Sequence, residues 1–478
     1  MATGSGAPVG QLLIAGQWVD GVSRQTLRDK YDGRVYGEMA VASPEQVTAA
    51  VAGAVAGQQR ATLTPYQRYK ILMAAARLVE SRMEPLIALM RHEAGFTRAD
   101  GDNEVRRCVQ TFELCAEEAK RLNGEMVPMQ AAEGVKNRLG FTLRSPRGVV
   151  CAITPFNSPL NVVLHKVGPA LAGGNAVVIK PSEFTPLTAV ELCKILIEAG
   201  LPADLLALLH GDGAAVGSQL VADPRIAFYA FTGSTRVGRE IQRGAGLRRT
   251  QMELGSIAST IVCADADIEL AIPKILNAGL RKAGQVCTSV QRLYVDRRIA
   301  ADFLPRLVAA AQKMKAGDPA DPTTIIGPMI SEHHAKRAQS WVDEAVAAGA
   351  RLLTGGTRQG HVLQPTVLTD VKPEMKVVCE EIFAPVMSVI EVDGVEDAVA
   401  RANAQPFGLS VGLFTANLHT ALRAAKDLRF GGIHVNEASS ARIDAMPFGG
   451  VKDSGFGWEG PAYAIREMTE ERLVTISY

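Results

Sequence analysis

The spacing of hydrophobic positions changes along the chain, and each change predicts a different kind of element. Leu12 to Asp20 alternates between apolar and polar residues, which predicts a short strand or hairpin. Three helices are expected after it. Two of them begin at the capping sequences Ser43-Pro44-Glu45-Gln46 and Thr64-Pro65-Tyr66-Gln67, and the third covers about 102 to 122.

From Arg147 onward, short apolar strands alternate with helices. Four runs lack polar alternation, as parallel strands covered on both faces do: 148–153, 176–179, 205–209 and 226–231. A second alternation begins near Gly255, with strands near 260–263, 292–295, 387–392, 409–414 and 432–435. This order predicts two doubly wound α/β domains, in which ligands bind at the carboxyl ends of the strands. The last stretch, 472–477, is predicted as a strand that pairs across a subunit interface.

Composition and charge exclude several classes of protein. The chain has 478 residues, 47% of them hydrophobic, and a net charge of +1, so we expect a globular protein that binds neither nucleic acid nor an acidic membrane surface. No apolar run approaches the ~18 residues that span a bilayer, and residues 1–8 do not resemble a signal peptide, so a cytoplasmic location is expected. Seven widely spaced cysteines indicate neither a disulfide framework nor a metal site.

The loops after the first four apolar strands have residues that suit a nucleotide. They are Thr154-Pro155-Phe156-Asn157, Lys180-Pro181-Ser182-Glu183, His210-Gly211-Asp212-Gly213 and Thr232-Gly233-Ser234-Thr235. Glycines allow close backbone approach, helix N-termini bind phosphate, and Lys, Ser or a carboxylate can bind ribose hydroxyls. Any one loop of this kind is more often an ordinary turn. Four of them at strand ends together indicate a nucleotide site.

Two residues are candidates for covalent chemistry. Cys287 lies among small and hydroxylated residues rather than among Leu, Ile and Phe, which suits a nucleophile. A buried structural cysteine remains an equal alternative on these residues alone. Glu253 lies near the end of an expected strand, where it could be a general base or a solvated edge residue.

Seven segments of the chain, taken in order, resemble the NAD(P)-dependent aldehyde dehydrogenase superfamily. They are Thr154-Pro155-Phe156-Asn157, Lys180-Pro181-Ser182-Glu183, Phe231-Thr232-Gly233-Ser234-Thr235, Glu253-Leu254-Gly255, Gly284-Gln285-Val286-Cys287, Glu380-Glu381-Ile382-Phe383-Ala384-Pro385 and Pro447-Phe448-Gly449-Gly450-Val451-Lys452. The resemblance covers about Leu13 to Ser477. It implies a Rossmann-like cofactor domain (1–123 and 146–254), a catalytic domain (255–458) and a small β oligomerisation element (124–145 and 459–478) that forms homodimers or homotetramers.

The resemblance also implies a role for each candidate catalytic residue. Cys287 would add to the aldehyde to give a thiohemiacetal, whose oxyanion would be bound by the Asn157 side-chain amide and the Cys287 backbone N–H. Hydride transfer would then give a thioester, and Glu253 would activate the water that releases the acid.

The same matching implies which residues bind the cofactor. Lys180 and Glu183 would bind the adenosine ribose, and Glu381 and Phe383 the nicotinamide end, with NAD favoured over NADP. The full expected set is Thr154, Pro155, Lys180, Ser182, Glu183, Gly213, Gly217, Phe231, Gly233, Ser234, Leu254, Gly255, Glu381 and Phe383. The chain departs from the family pattern at Ser256, Ile257, Ala384 and Trp458, which puts cofactor affinity and substrate shape in doubt.

The substrate side resembles the branch that acts on small polar aldehydes such as lactaldehyde and phosphonoacetaldehyde. Expected lining residues are Arg107, Thr111, Ser158, Asn161, Val286, Thr288 and Arg442. Arg442 or Arg107 could bind a hydroxylated or carboxylate tail, or could equally be solvated or in an ion pair. Neutral Ser158 and Val286 argue against a dianionic substrate.

Functions other than a hydroxy- or carboxy-aldehyde dehydrogenase make different demands on the sequence. An aldehyde dehydrogenase for aromatic or medium-chain aldehydes remains an alternative. A CoA-acylating enzyme would not need Glu253, a cysteine hydrolase would need a histidine in a recognisable motif, and a scaffold without activity should have lost Cys287, Asn157 or Glu253.

Overall fold

A computed structural model describes residues 8–478, and an eight-stranded sheet carries the strand-end loops. Its five central strands are parallel, and strands at both edges are antiparallel. The order across the sheet is Gly455–Phe456, Arg249–Glu253, Ile226–Thr232, Val149–Ile153, Ala176–Lys180, Leu206–Leu208, Leu12–Ile14 and Gln17–Val19. The parallel strands are apolar on both faces because helices cover both, as the sequence predicts.

The helices of this first domain begin where the capping sequences predict, with one omission. Ser43 and Thr64 each form a complete capping box with a Gln three residues later. The expectation of three helices is wrong, because a fourth begins directly after the second and has no side-chain cap. The last of the four begins at Arg98, since Thr97 caps it, and not at 102. The helices are Pro44–Arg60, Pro65–Ser81, Met83–Ala94, Arg98–Arg121, Asn161–Ala172, Pro186–Glu198, Ser218–Ala222, Thr235–Ala245 and Pro461–Glu467.

A seven-stranded sheet forms the second domain, which confirms the prediction of two α/β domains. It is parallel except at one edge. The order is Arg351–Thr354, Thr366–Thr369, Val386–Val392, Arg292–Asp296, Ser259–Val262, Ser410–Phe414 and Gly432–Val435. Its helices are Ile268–Leu280, Arg297–Ala311, Glu332–Ala347, Lys376–Cys379, Val395–Asn403 and Leu418–Asp427. Separate apolar clusters pack around this sheet.

The small β element contains the C-terminal strand. The strand Thr469–Ser477 pairs along its whole length with Arg138–Pro146 of the same chain, which also pairs with Met126–Val127. The other edge of Thr469–Ser477 has no partner among the described residues, and the predicted pairing across a subunit interface stays a prediction. A further sheet contains Val9–Gly10, Val35–Val41 and Ser23–Arg28, and two short pairs are Arg358–Gln359 with Val362–Leu363 and Phe407–Gly408 with Val451–Lys452.

In the described part of the chain, no helix is both long and apolar enough to cross a membrane.

The predicted cofactor domain starts at residue 1, and its first seven residues lie outside the described range. The domain boundaries remain a proposal. After the second sheet, the chain returns to the first one at Gly455–Phe456.

Candidate active site

A cleft of about 430 Å³ lies where the two sheets face each other, within the size range of small-molecule sites. Loops after the parallel strands of the first sheet form one wall. The turn that carries Cys287 and the loop with Ser440 and Phe448 form the other. The carboxyl ends of the strands therefore face the cleft, as expected for a doubly wound domain.

The nucleophile turn follows the helix Ile268–Leu280 and has an unusual backbone. Lys282, Ala283 and Gly284 all have positive φ. A Cβ at Gly284 would lie 2.1 Å from the carbonyl oxygen of Ala384, so only glycine fits there. This turn leaves Cys287 partly exposed in the cleft, where burial and the nearby Glu253 raise the pKa of its thiol to about 12.

Glu253 is the last residue of the strand Arg249–Glu253, and its carboxyl group faces the same cleft. Neither carboxyl oxygen has a hydrogen-bond partner among residues 8–478. Burial first, and then the charge of Glu459, raise the pKa of Glu253 well above its ordinary value. Glu253 is buried, so the solvated-edge interpretation does not hold. In its ionised form, the carboxylate can accept a proton from a water molecule in the cleft.

Two buried cations stabilise the ionised form of Glu459. Lys166 donates to its Oε1 at 2.9 Å, and Arg442 donates to its Oε2 at 2.8 Å. These cations hold the pKa of Glu459 far below its ordinary value despite its burial. The two glutamates therefore differ because one is paired and the other is not.

Asn157 joins the strand-end wall to the nucleophile turn. Its Nδ2 donates to the carbonyl oxygen of Gln285 at 2.7 Å, two residues before Cys287. A side-chain amide has two N–H groups, so the second remains for a ligand oxygen in the cleft.

The predicted cofactor residues gather along one side of the cleft. All of them line it except Gly217, which lies farther along the turn that begins at Gly213. The hydroxyl of Thr154 is buried and has no partner among the described residues, and the buried Lys180 lies beside Ser182 and Glu183. Ser234 caps the helix Thr235–Ala245, whose N-terminus faces the cleft. A cation, a carboxylate and a helix N-terminus together fit a dinucleotide.

Two of the departures from the family pattern also border the cofactor side. The backbone N–H of Ser256 donates to Glu381 at 2.9 Å, and burial raises the pKa of Glu381 to about 7. Ala384 supplies the carbonyl oxygen that approaches Gly284. Ile257 is buried, and Trp458 lies at the surface beside Glu467.

The predicted substrate arginines are both in ion pairs within the chain. Arg107 binds Asp444 through Nε at 3.0 Å and Nη2 at 2.7 Å. Arg442 binds Glu459 and lies over the ring of Phe448. Both arginines line the cleft with Ser158, Val286 and Thr288.

Thr111 and Asn161 do not line the cleft. Both are buried behind it, where Thr111 donates to Asn161 and Asn161 donates to Asp444. They therefore support the Arg107–Asp444 pair and do not border the substrate space.

Arg281 is a third arginine on the substrate side of the cleft, and it was not among the expected substrate residues. It donates to the Ser440 hydroxyl at 2.5 Å, and Ser440 lies 3.0 Å from the Thr288 hydroxyl. Among the described residues, no carboxylate forms an ion pair with Arg281, and burial followed by the charge of Arg107 lowers its pKa. The signal in the sequence was a basic pair, Arg281-Lys282, at the end of a helix just before the nucleophile.

Other lining residues had no local signal. They are Val162, Val237, His334, Arg337 and Glu459. These residues lie outside the segments expected to line the cleft, and only the tertiary fold brings them to it.

Comparison with known proteins assigns the family. The model of the aldehyde dehydrogenase family matches residues 18–474. The chain belongs to the aldehyde dehydrogenase family. It is an NAD(P)-dependent oxidoreductase, which confirms the resemblance of the seven segments.

Individual relatives of this aldehyde dehydrogenase cover nearly its whole length. It is 44% identical to a 3-sulfolactaldehyde dehydrogenase of Priestia megaterium, over 98% of each chain. It is 36% identical to a lactaldehyde dehydrogenase of Methanocaldococcus jannaschii, over 98% of this chain and 100% of that one. An NADP-dependent glyceraldehyde-3-phosphate dehydrogenase from Bacillus halodurans, solved with NADP, superposes with a TM-score of 0.96 at 33% identity, over 99% of this chain and 100% of that one.

Proposed function

We propose that this enzyme oxidises an aldehyde to its carboxylic acid through a thioester on Cys287. The observation that carries the proposal is that Cys287, Asn157 and the unpaired Glu253 all face one cleft. The Cys287 thiol gives its proton to water, and the sulfur bonds to the carbonyl carbon while the carbonyl π bond breaks. The Asn157 amide and the Cys287 backbone N–H stabilise the oxygen that becomes negative. NAD(P), which the strand-end loops would hold, would supply the hydride acceptor, and loss of hydride from that carbon would leave a thioester on Cys287.

Glu253 then completes the reaction as a general base. It takes a proton from water, the water oxygen bonds to the acyl carbon, and the carbon–sulfur bond breaks to release the acid and the thiolate. A base in this place supports hydrolysis over transfer to CoA. NAD is the proposed cofactor, since the Glu183 carboxylate would repel a 2′-phosphate, with NADP as the alternative.

The proposed substrate is a small aldehyde with a hydroxyl, carboxylate or sulfonate tail. Arg107 and Arg442 are each paired with a carboxylate, Asp444 and Glu459, whereas Arg281 has no carboxylate partner among the described residues and can pair with a ligand anion. The Ser440 and Thr288 hydroxyls beside it can donate to an oxygen of the tail. One uncompensated guanidinium suits a monoanion. The 44% identical 3-sulfolactaldehyde dehydrogenase supports a sulfonate in that place.

We also propose that the enzyme assembles as a homodimer or homotetramer. Thr469–Ser477 and Gly432–Val435 are edge strands of their sheets among the described residues. Leu473 and Ile476 are exposed on the first of these strands. Such edges are usually covered in the native assembly.

A panel of aldehydes tests the proposed substrate class. NADH or NADPH formation would be followed with sulfolactaldehyde, lactaldehyde, succinic semialdehyde, phosphonoacetaldehyde, benzaldehyde and a medium-chain alkanal. We expect the highest kcat/KM with a monoanionic or hydroxylated aldehyde, and with NAD. A preference for benzaldehyde or the alkanal would contradict the assignment of the tail site to Arg281.

A further inference from the structure

Lys282 occupies a backbone conformation that lysine rarely adopts. Its φ is +53°, in the left-handed region that favours glycine and, among other residues, asparagine and aspartate. Such a conformation persists only where the surrounding structure holds the residue in place. The contacts of the Lys282 side chain show which parts of the chain the turn is joined to.

The ammonium of Lys282 is almost completely buried and joins two segments of the cofactor domain. It donates to Glu104 Oε2 at 2.8 Å and to the backbone oxygen of Asn157 at 2.9 Å, and it lies 4.4 Å from the centre of the Phe96 ring. Glu104 comes from the helix Arg98–Arg121. One lysine thus links that helix, the Asn157 loop and the nucleophile turn.

Glu104 extends the link along the Asn157 loop. Its other oxygen, Oε1, accepts hydrogen bonds from the Ser158 hydroxyl at 2.5 Å and from the Asn161 backbone N–H at 2.9 Å. Lys282 therefore holds the loop at Asn157, and Glu104 holds it at Ser158 and Asn161. Glu104 does not line the cleft, and the ammonium of Lys282 is directed to Glu104, the Asn157 oxygen and Phe96.

The side chain of Asn157 closes this arrangement on the nucleophile turn. Its Nδ2 donates to the oxygen of Gln285, and the Gln285 side chain donates to the oxygen of Lys282. Lys282 therefore contacts the Asn157 backbone through its ammonium, and the Gln285 side chain through its backbone oxygen. Both contacts help to set the position of the Asn157 amide relative to Cys287.

We propose that Lys282, paired with Glu104, is a positioning residue that sets the Asn157 amide at the distance from Cys287 required to stabilise the oxyanion. This inference rests on the proposed thioester mechanism. A misplacement of a reacting group by about 1 Å can cost on the order of 100-fold in rate, so the effect belongs in kcat of the acylation step. Cofactor binding should change little, because neither Lys282 nor Glu104 belongs to the cofactor side.

A double-mutant cycle between Lys282 and Asn157 tests the proposal. The variants are Lys282→Met, Asn157→Ala and the double variant, with the rate of the first NADH turnover as the readout. Asn157→Ala should lower that rate by ~100- to 1,000-fold, as loss of one oxyanion donor does. Lys282→Met should lower it by roughly 10- to 100-fold with the KM for NAD nearly unchanged. The double variant should be no slower than Asn157→Ala alone.

Multiplied losses in the double variant would overturn the proposal, because Lys282 would then act independently of Asn157. An unchanged first turnover in Asn157→Ala would instead refute the proposed mechanism, which keeps the two failures distinct. Lys282→Arg, which keeps the charge and the pairing with Glu104, should recover part of the rate. If Lys282→Met does not fold, Lys282→Arg replaces it in the same cycle with the same expectation of non-multiplied losses.

Discussion

The two sides of the cleft are built in different ways. The cofactor side consists mostly of short loops that follow adjacent parallel strands, so the sheet itself brings Thr154, Lys180 and Ser234 together. The substrate side depends on side chains that pair across the chain, such as Arg107 and Asp444, which are 337 residues apart. The first side is therefore set by backbone topology, and the second by the balance of charges among side chains.

This difference shows how specificity can change without loss of the cofactor site. Three arginines lie on the substrate side, and two of them are paired with the carboxylates of Asp444 and Glu459. The charge available to a ligand is then that of Arg281. A single substitution at such a carboxylate would change the charge of the site while the strand-end loops stayed in place.

Removal of the nucleophile should have the largest effect on the rate, because Cys287 lies where the cofactor side and the substrate side of the cleft meet. We expect Cys287→Ala to lower kcat by more than ~1,000-fold, while the Kd for NAD, measured by calorimetry, stays within a few-fold. Cys379→Ser is the matched control, since Cys379 does not line the cleft. Retained turnover in Cys287→Ala would refute the role of this thiol.

Removal of the unpaired positive charge should affect the substrate side alone. We expect Arg281→Met to lower kcat/KM for a carboxylate or sulfonate aldehyde by about 10- to 100-fold, the value of one or two charge-assisted hydrogen bonds. The rate with a neutral alkanal should barely change. Arg106→Met serves as the control, because Arg106 is exposed on the helix Arg98–Arg121. Equal losses with charged and neutral aldehydes would give Arg281 a structural role only.

The pH dependence of hydrolysis should be a smaller effect. Burial raises the pKa of Glu253, and only the ionised carboxylate can accept a proton from water. The steady-state rate should therefore increase as pH rises through this raised pKa and then level off. In Glu253→Gln the residual hydrolysis should lose this step in its pH profile. A profile unchanged by the substitution would assign the titration to another group.

The sequence predicted the cofactor side better than the substrate side for the same physical reason. Apolar runs mark buried parallel strands, and the residues after them must lie at one edge of the sheet, so almost all expected cofactor residues face the cleft. No local pattern reports that Asp444 neutralises Arg107 or that Arg281 lacks a carboxylate, because these pairings form only in the tertiary fold.

The errors in secondary structure have similar causes. The helix Met83–Ala94 was missed because it begins directly after Pro65–Ser81 without a capping side chain. The strand Ser23–Arg28 was missed because its residues are mostly exposed and do not alternate. The strand Thr469–Ser477 pairs with Arg138–Pro146, which is far away in the sequence, so the residues of the strand alone could not identify its register.

A pre-steady-state burst experiment on Glu253→Gln tests the central claim most directly. The variant would be mixed with excess NAD and aldehyde, with NADH measured by absorbance and the Cys287 peptide by mass spectrometry. The account predicts about one NADH per site, an acyl group on Cys287 and little further turnover, since the base that releases the acid is absent. NADH without an acyl group on Cys287, or steady turnover at the wild-type rate, would contradict it.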